Sequence, residues 1–148
     1  MRITQEADYA IRICIVLDGK GEITGAAEIA DKSCITHNIT LKVLKKLTAK
    51  GIVESFKGSH GGYQLSRKGS DLTVRDIIEA VEGEVCISKC LGQDHQCTKN
   101  PEKSCCKMHI AFAAINKNLI DSLGKITVNM LNDESLNNAD IAEIINKK

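Results

Sequence analysis

Apolar residues recur at intervals of three and four through three segments near the start of the chain. The segments are residues 4–21 (TQEADYAIRICIVLDGKG), 24–33 (TGAAEIADKS) and 35–51 (ITHNITLKVLKKLTAKG). This spacing predicts three amphipathic helices, with Thr24 and Thr36 as candidate N-caps of the second and third. Because a short turn joins these two helices, the pattern is typical of a helix-turn-helix unit.

A different pattern follows at residues 51–66, GIVESFKGSHGGYQLS. Two short strand-like runs flank a glycine-rich tip, which predicts a β-hairpin. Residues 72–83, LTVRDIIEAVEG, return to helical spacing with Thr73 as the candidate N-cap. The predicted fold is therefore mostly α with a small β-hairpin wing. Residues 1–83 are predicted to form a winged helix-turn-helix domain, an architecture typical of DNA-binding domains.

Residues 106–131 carry apolar positions that step by three or four, close to the seam of a coiled coil. The positions are Met108, Phe112, Ile115, Leu119, Leu123, Ile126 and Met130. A long helix that follows a polar loop has little of its own chain to cover such a seam. We therefore predict a homodimer whose two helix-turn-helix units bind the two half-sites of a palindromic operator. Residues 84–106 are the loop, and residues 107–148 are the dimerisation helix and C-terminal tail.

The net charge of +1 hides an uneven distribution along the chain. Residues 37–68 carry seven Lys and Arg against one Glu, a local charge of +6. A basic helix followed by a basic hairpin favours binding to double-stranded DNA over a merely solvated surface. The candidates for base edges are Thr36, His37, Asn38 and Thr40. The candidates for the phosphates and the wing contact are Lys42, Lys45, Lys57, Ser59 and His60, with Lys46 and Lys50 as further phosphate contacts.

Residues 89–109, KCLGQDHQCTKNPEKSCCKMH, hold four of the seven cysteines and the only proline. No apolar run reaches the length of a membrane span, and polar residues break the first one, so we expect a cytoplasmic protein with reduced thiols. A cysteine cluster there indicates metal or redox chemistry rather than disulfides. Zinc would prefer paired C-x-x-C knuckles, which are absent, and a thiol switch through Cys86–Cys90 or Cys105–Cys106 stays open. No pattern of catalytic residues stands out, so we do not expect an enzyme.

Four signals in this order resemble the IscR/NsrR superfamily (Rrf-two type) of winged-helix transcriptional regulators. They are the opening MRITQEADYAIR, the wing KGSHGGYQLS, the helix VRDIIEAVEG and the cysteines before the long helix. The resemblance covers roughly residues 1–135. It implies a dimeric repressor or activator, in many members with an iron–sulfur cluster whose state sets the affinity for DNA.

The same resemblance implies three cysteine ligands in the loop, best matched by Cys90, Cys97 and Cys106, with Cys105 as a rival for the third. Cys86 is then dispensable. Asp8, which would ligate from the opposite subunit, is preferred slightly to His109 as the fourth ligand. The gaps between the ligands are longer than usual, so either a 2Fe–2S or a 4Fe–4S cluster is compatible. A cluster-free thiol or zinc regulator, and a redox or metal-handling protein that does not bind DNA, remain the alternatives.

Overall fold

The computed structural model describes residues 3–92, 97 and 106–147. The elements in chain order are α1 (Gln5–Lys20), α2 (Ala26–Ser33), α3 (His37–Ala49), β1 (Val53–Phe56), β2 (Gly62–Leu65), α4 (Val74–Glu82), α5 (Lys107–Lys125), α6 (Val128–Asn132) and α7 (Asn138–Asn146). Short 3-10 turns occur at Gly69–Asp71 and Lys89–Leu91. This order confirms the predicted fold class, since α2 and α3 form the helix-turn-helix and the two antiparallel strands form the wing.

The core of the winged domain is aliphatic and lies between α1, α2, α3 and α4. Ile13, Leu17, Ile29, Leu44 and Leu47 are almost completely buried in it. Cys14 lies in the same cluster, where burial raises the pKa of its thiol, so it packs as a small apolar residue. This single core fixes the orientation of α3 relative to the wing.

The wing is attached to the body through the connection between α1 and α2. Thr24 and Tyr63 exchange two backbone hydrogen bonds of 2.9 Å, which explains why Thr24 is buried. The prediction that Thr24 is the N-cap of α2 is therefore wrong, because it continues the hairpin and Gly25 takes the cap position. A Cβ at Gly62 would lie 2.5 Å from the Thr24 carbonyl oxygen, so this close approach requires glycine.

The predicted long helix is two helices separated by a short extended segment. α5 ends at Lys125, because the Ile126 carbonyl accepts from the Val74 amide at 2.8 Å and the Val128 amide donates to the Leu72 carbonyl at 2.9 Å. These bonds join the chain after α5 to the start of α4. α6 then packs against α1, where the side-chain amide of Asn132 donates to the Ile15 carbonyl at 2.9 Å.

This arrangement also corrects the predicted coiled-coil seam. Its second half packs within the same subunit, since Leu119, Leu123 and Ile126 lie against a cluster that includes Val74 and Ile78. The first half of α5 remains uncovered by the described residues, and Met108, Ile110 and Ile115 are 61%, 54% and 54% exposed.

The C-terminal tail forms the short helix α7. Asn137 caps it by accepting from the Ala139 and Asp140 amides, and Asp140 completes a capping box. At its other end, the Lys125 ammonium donates to the Ile145 carbonyl at 3.0 Å, so α7 is attached to α5. Within the described ranges, no helix combines the length and the apolar character needed to cross a bilayer.

Candidate DNA-binding surface and cysteine-rich region

The start of α3 presents polar side chains to solvent. Thr36 occupies the N-cap with extended backbone and makes no side-chain capping bond, so its hydroxyl is not used by the helix. His37, Asn38, Lys42 and Lys45 are all exposed on α3. Side chains of these types at the start of a recognition helix can reach base edges, while lysines further along reach phosphates.

Two residues expected on this surface are used inside the subunit instead. Thr40 is completely buried, and its hydroxyl donates to the Thr36 carbonyl at 3.1 Å, so the expectation that it faces bases is wrong. Its spacing from Leu44 and Leu47 places it on the core side of α3. The Lys46 ammonium was expected to contact phosphate. It instead forms an ion pair with the Glu6 carboxylate on α1, at 2.8 Å.

The wing carries the second part of the basic surface. Lys57, Ser59 and His60 lie exposed in the turn between β1 and β2. Among the ion pairs between described residues, none involves Lys42, Lys45 or Lys57. Their charges are therefore available to a polyanion that spans α3 and the wing.

The base of the cysteine-rich loop is held to α5 by one buried amide. The Asn116 side chain accepts from the Ile87 amide at 2.9 Å and donates to the Val85 carbonyl at 3.0 Å. Asn116 is only 8% exposed, and it fixes the backbone on both sides of Cys86. Sequence reasoning missed this residue, although an asparagine after the apolar run IAFAAI was a detectable signal.

The described thiols of this region are half-buried. The Cys90 sulfur lies 3.2 Å from the Ser88 hydroxyl, and Cys86, Cys97 and Cys106 have similar intermediate exposure. Burial raises the pKa of the Cys86 thiol, and the nearby Glu84 carboxylate raises it further. Cys105, the rival third ligand, lies outside the described residues.

The two candidates for the fourth ligand differ in their surroundings. Asp8 is partly exposed and pairs with Arg12 one turn further along α1, at 2.8 Å. His109 instead has a buried Nδ1 atom with no hydrogen-bond partner among the described residues. It lines a pocket of about 310 Å³ together with Cys86 and Asn116.

Unpartnered buried atoms also occur elsewhere in the described part of the chain. They are the hydroxyls of Ser33 and Thr48 and one oxygen of Glu6. His109 is the one that adjoins the cysteine-rich region, where a hydrogen-bond partner or a metal ion at Nδ1 would complete its contacts. Among residues 3–92, 97 and 106–147, no three His, Cys, Asp or Glu side chains come together as a metal site.

Comparison with known proteins gives the same assignment as the geometry. The chain matches the Rrf2 family, described as iron-dependent transcriptional regulators, over residues 3–134. It is 31% identical over 91 residues to Protein aau3 of Rhizobium meliloti (strain 1021). The aligned region covers 61% of this chain and 59% of that protein. It is 26% identical over 151 residues to the HTH-type transcriptional regulator NsrR of Bacillus subtilis (strain 168). That alignment covers 100% of this chain and 99% of that protein.

Solved structures of transcriptional regulators share this fold. The solved structure of CymR (YrzC), the global cysteine regulator of B. subtilis, superposes with a TM-score of 0.69 at 24% identity, which covers 88% of this chain and 95% of that one. The family match extends from the start of α1 through α6 and includes the recognition helix and the wing. The chain therefore belongs to the Rrf2 family of winged-helix transcriptional regulators.

Proposed function

We propose that this chain is a homodimeric, cytoplasmic DNA-binding regulator whose affinity for a palindromic operator is set by an iron–sulfur cluster held in residues 84–109. Membership of a family described as iron-dependent regulators supports the regulatory role. The observation that carries the cluster is the buried, unpartnered Nδ1 of His109 beside a region rich in thiols. A bound cluster supplies iron atoms that oxidants, nitric oxide or iron loss can alter.

The proposed ligands are Cys90, Cys97 and Cys106, with one further residue. Intermediate burial of the three thiols suits a site that shields a cluster and yet admits a small oxidant. The contacts of the described residues favour His109 over Asp8 as the fourth ligand. Asp8 already has Arg12 as a partner, whereas Nδ1 of His109 has none.

A dimer is supported by the uncovered first half of α5. Three large apolar side chains there are more than half exposed, and a second copy of the same helix would remove them from water. Two copies of α3 would then read two half-sites of one operator.

A series of contacts within the subunit also connects the base of the loop to the recognition helix α3. Asn116 holds the loop base, and α4 ends just before it at Glu82, whose carboxylate accepts from the Thr4 amide at 3.0 Å and the Thr4 hydroxyl at 2.7 Å. Thr4 caps α1, and Glu6 of α1 pairs with Lys46 of α3. A rearrangement of the loop can therefore bias the position of α3, provided that these contacts have two stable arrangements.

The ligands can be tested by anaerobic reconstitution with iron and sulfide. Changing Cys90, Cys97 or Cys106 to Ala should abolish the visible absorption, and His109→Ala should shift it more than Asp8→Ala does. Cys86→Ala should keep most of the absorption, and Cys34→Ala is the matched control because this thiol is exposed in the α2–α3 turn. A larger effect of Asp8→Ala would reverse the choice of fourth ligand, and a colourless parent protein would contradict the cluster.

A cluster-free thiol regulator is the second candidate. It is supported by the related fold of CymR, a protein titled a global cysteine regulator. In that case, the reconstituted protein would stay colourless, and oxidation would link two loop thiols such as Cys86 and Cys90. Mass spectrometry of the oxidised protein after alkylation distinguishes the two candidates.

A further inference from the structure

One leucine lies among the polar side chains on the outer surface of α3. Leu41 is 39% exposed, and the exposed polar residues Asn38 and Lys45 lie three positions before it and four after it. Residues at this spacing share one side of a helix. An apolar side chain at this place contributes little to the core of its own subunit.

One side of α3 packs within the subunit. Val43, Leu44 and Leu47 face the core, and Lys46 is paired with Glu6 of α1. Leu41 therefore lies on the side that remains available when α3 enters a groove of DNA.

The chemistry of the major groove gives this side chain a specific partner. Thymine displays a C5-methyl group there, whereas the other unmodified bases present hydrogen-bonding groups to protein. Leucine can neither donate nor accept a hydrogen bond, so a methyl group is the base feature it can contact favourably.

We propose that Leu41 is a specificity-determining residue that contacts the C5-methyl group of a thymine in each operator half-site. This inference rests on the proposed binding of DNA by α3. A helix rises about 1.5 Å per residue, so Leu41 lies about 4.5 Å beyond Asn38 along the axis. Leu41 is therefore expected to contact a different base pair from the one that Asn38 contacts.

The test uses operators in which single thymines are replaced by deoxyuridine, since this change removes only the methyl group. An operator is first selected from random duplexes with the anaerobically purified parent protein, and affinities are measured by fluorescence anisotropy at one salt concentration. Each half-site should contain one thymine whose replacement by deoxyuridine, made in one half-site at a time, weakens binding of the parent about fourfold. This is the loss expected for one buried methyl group. Leu41→Ala should bind the thymine and deoxyuridine duplexes about equally at that position.

Leu131→Ala is the matched control. Leu131 has the same side chain and a similar exposure of 37%, but it lies on α6. This variant should keep the fourfold loss of the parent. The proposal is overturned if Leu41→Ala remains as sensitive to deoxyuridine as the parent, or if no thymine matters to the parent. A parent that enriches no duplex at all would overturn both this proposal and the proposed DNA binding.

Discussion

The core of the winged domain and the first half of α5 differ in how far their apolar residues are buried within the subunit. Ile13 in α1 is completely buried by its own subunit, whereas Ile115 in α5 is 54% exposed. The winged domain therefore folds around contacts that the single chain supplies. The first half of α5 and the adjoining cysteines present apolar surface and an imidazole nitrogen that the described residues do not cover or bind.

The largest expected effect comes from truncating the same residue type in the two regions. Ile13→Ala should reduce the free energy of unfolding by about 2–5 kcal/mol in urea titrations, because it opens a cavity in the core. Ile115→Ala should leave the isolated subunit folded and instead shift the dimer–monomer equilibrium towards monomer in sedimentation experiments. An unchanged equilibrium for Ile115→Ala would show that this part of α5 is not the dimer interface.

The junction between the two regions should be sensitive to Asn116. Asn116→Ala leaves the Val85 carbonyl and the Ile87 amide without their partner, at a cost of about 1–3 kcal/mol. Urea unfolding measures this loss, and Asn118→Ala, an exposed position on the same helix, is the control. Equal stabilities of the two variants would contradict the role given to the buried amide.

Sequence reasoning worked best where a local rule determines the structure. The wing was predictable because glycines permit its close approaches, and the start of α4 was predictable because Thr73 and Asp76 form a capping box. The end of α5 was not, because the helical pattern continues through Ile126 and only backbone bonds to the distant start of α4 interrupt it. Thr40 was misassigned because its polarity was given more weight than its helical spacing from the core.

For the candidate site, the sequence predicts a type of chemistry but not the contacts of its residues. Cysteine content and the basic segment predict the chemistry of the two surfaces, and that chemistry stays a prediction. The pairing of Lys46 with Glu6, and the two hydrogen bonds of Asn116, depend on elements that are distant in sequence. No spacing rule relates such residues.

Neighbouring lysines of α3 should differ in their salt response. Lys45→Ala should lower the slope of log affinity against log salt by about one unit. The reason is that Lys45 forms no ion pair with another described residue, so its ammonium is available to a phosphate. Lys46→Ala should change that slope less, because its ammonium already pairs with Glu6. Anisotropy titrations at several salt concentrations give both slopes, and equal decreases would contradict the distinction.

The smallest expected effect concerns Cys86. Its thiol has a raised pKa, so a smaller fraction is thiolate at mildly alkaline pH than in the unfolded chain. The rate of alkylation of Cys86 by iodoacetamide in cluster-free protein should therefore reach its midpoint at higher pH in the folded protein than in urea. Peptide mass spectrometry identifies the site, and a midpoint lower than in urea would contradict the stated environment.

The most direct test of the account is the operator affinity of one anaerobic preparation, measured with its cluster and again after iron chelation. We expect the two affinities to differ by at least about tenfold, a free-energy difference of about 1.4 kcal/mol, which lies within the usual range for coupling between two sites. Cys97→Ala should bind the operator like the chelated parent under both conditions. Equal affinities of the parent with and without a spectroscopically verified cluster would contradict the claim that the cluster controls DNA binding.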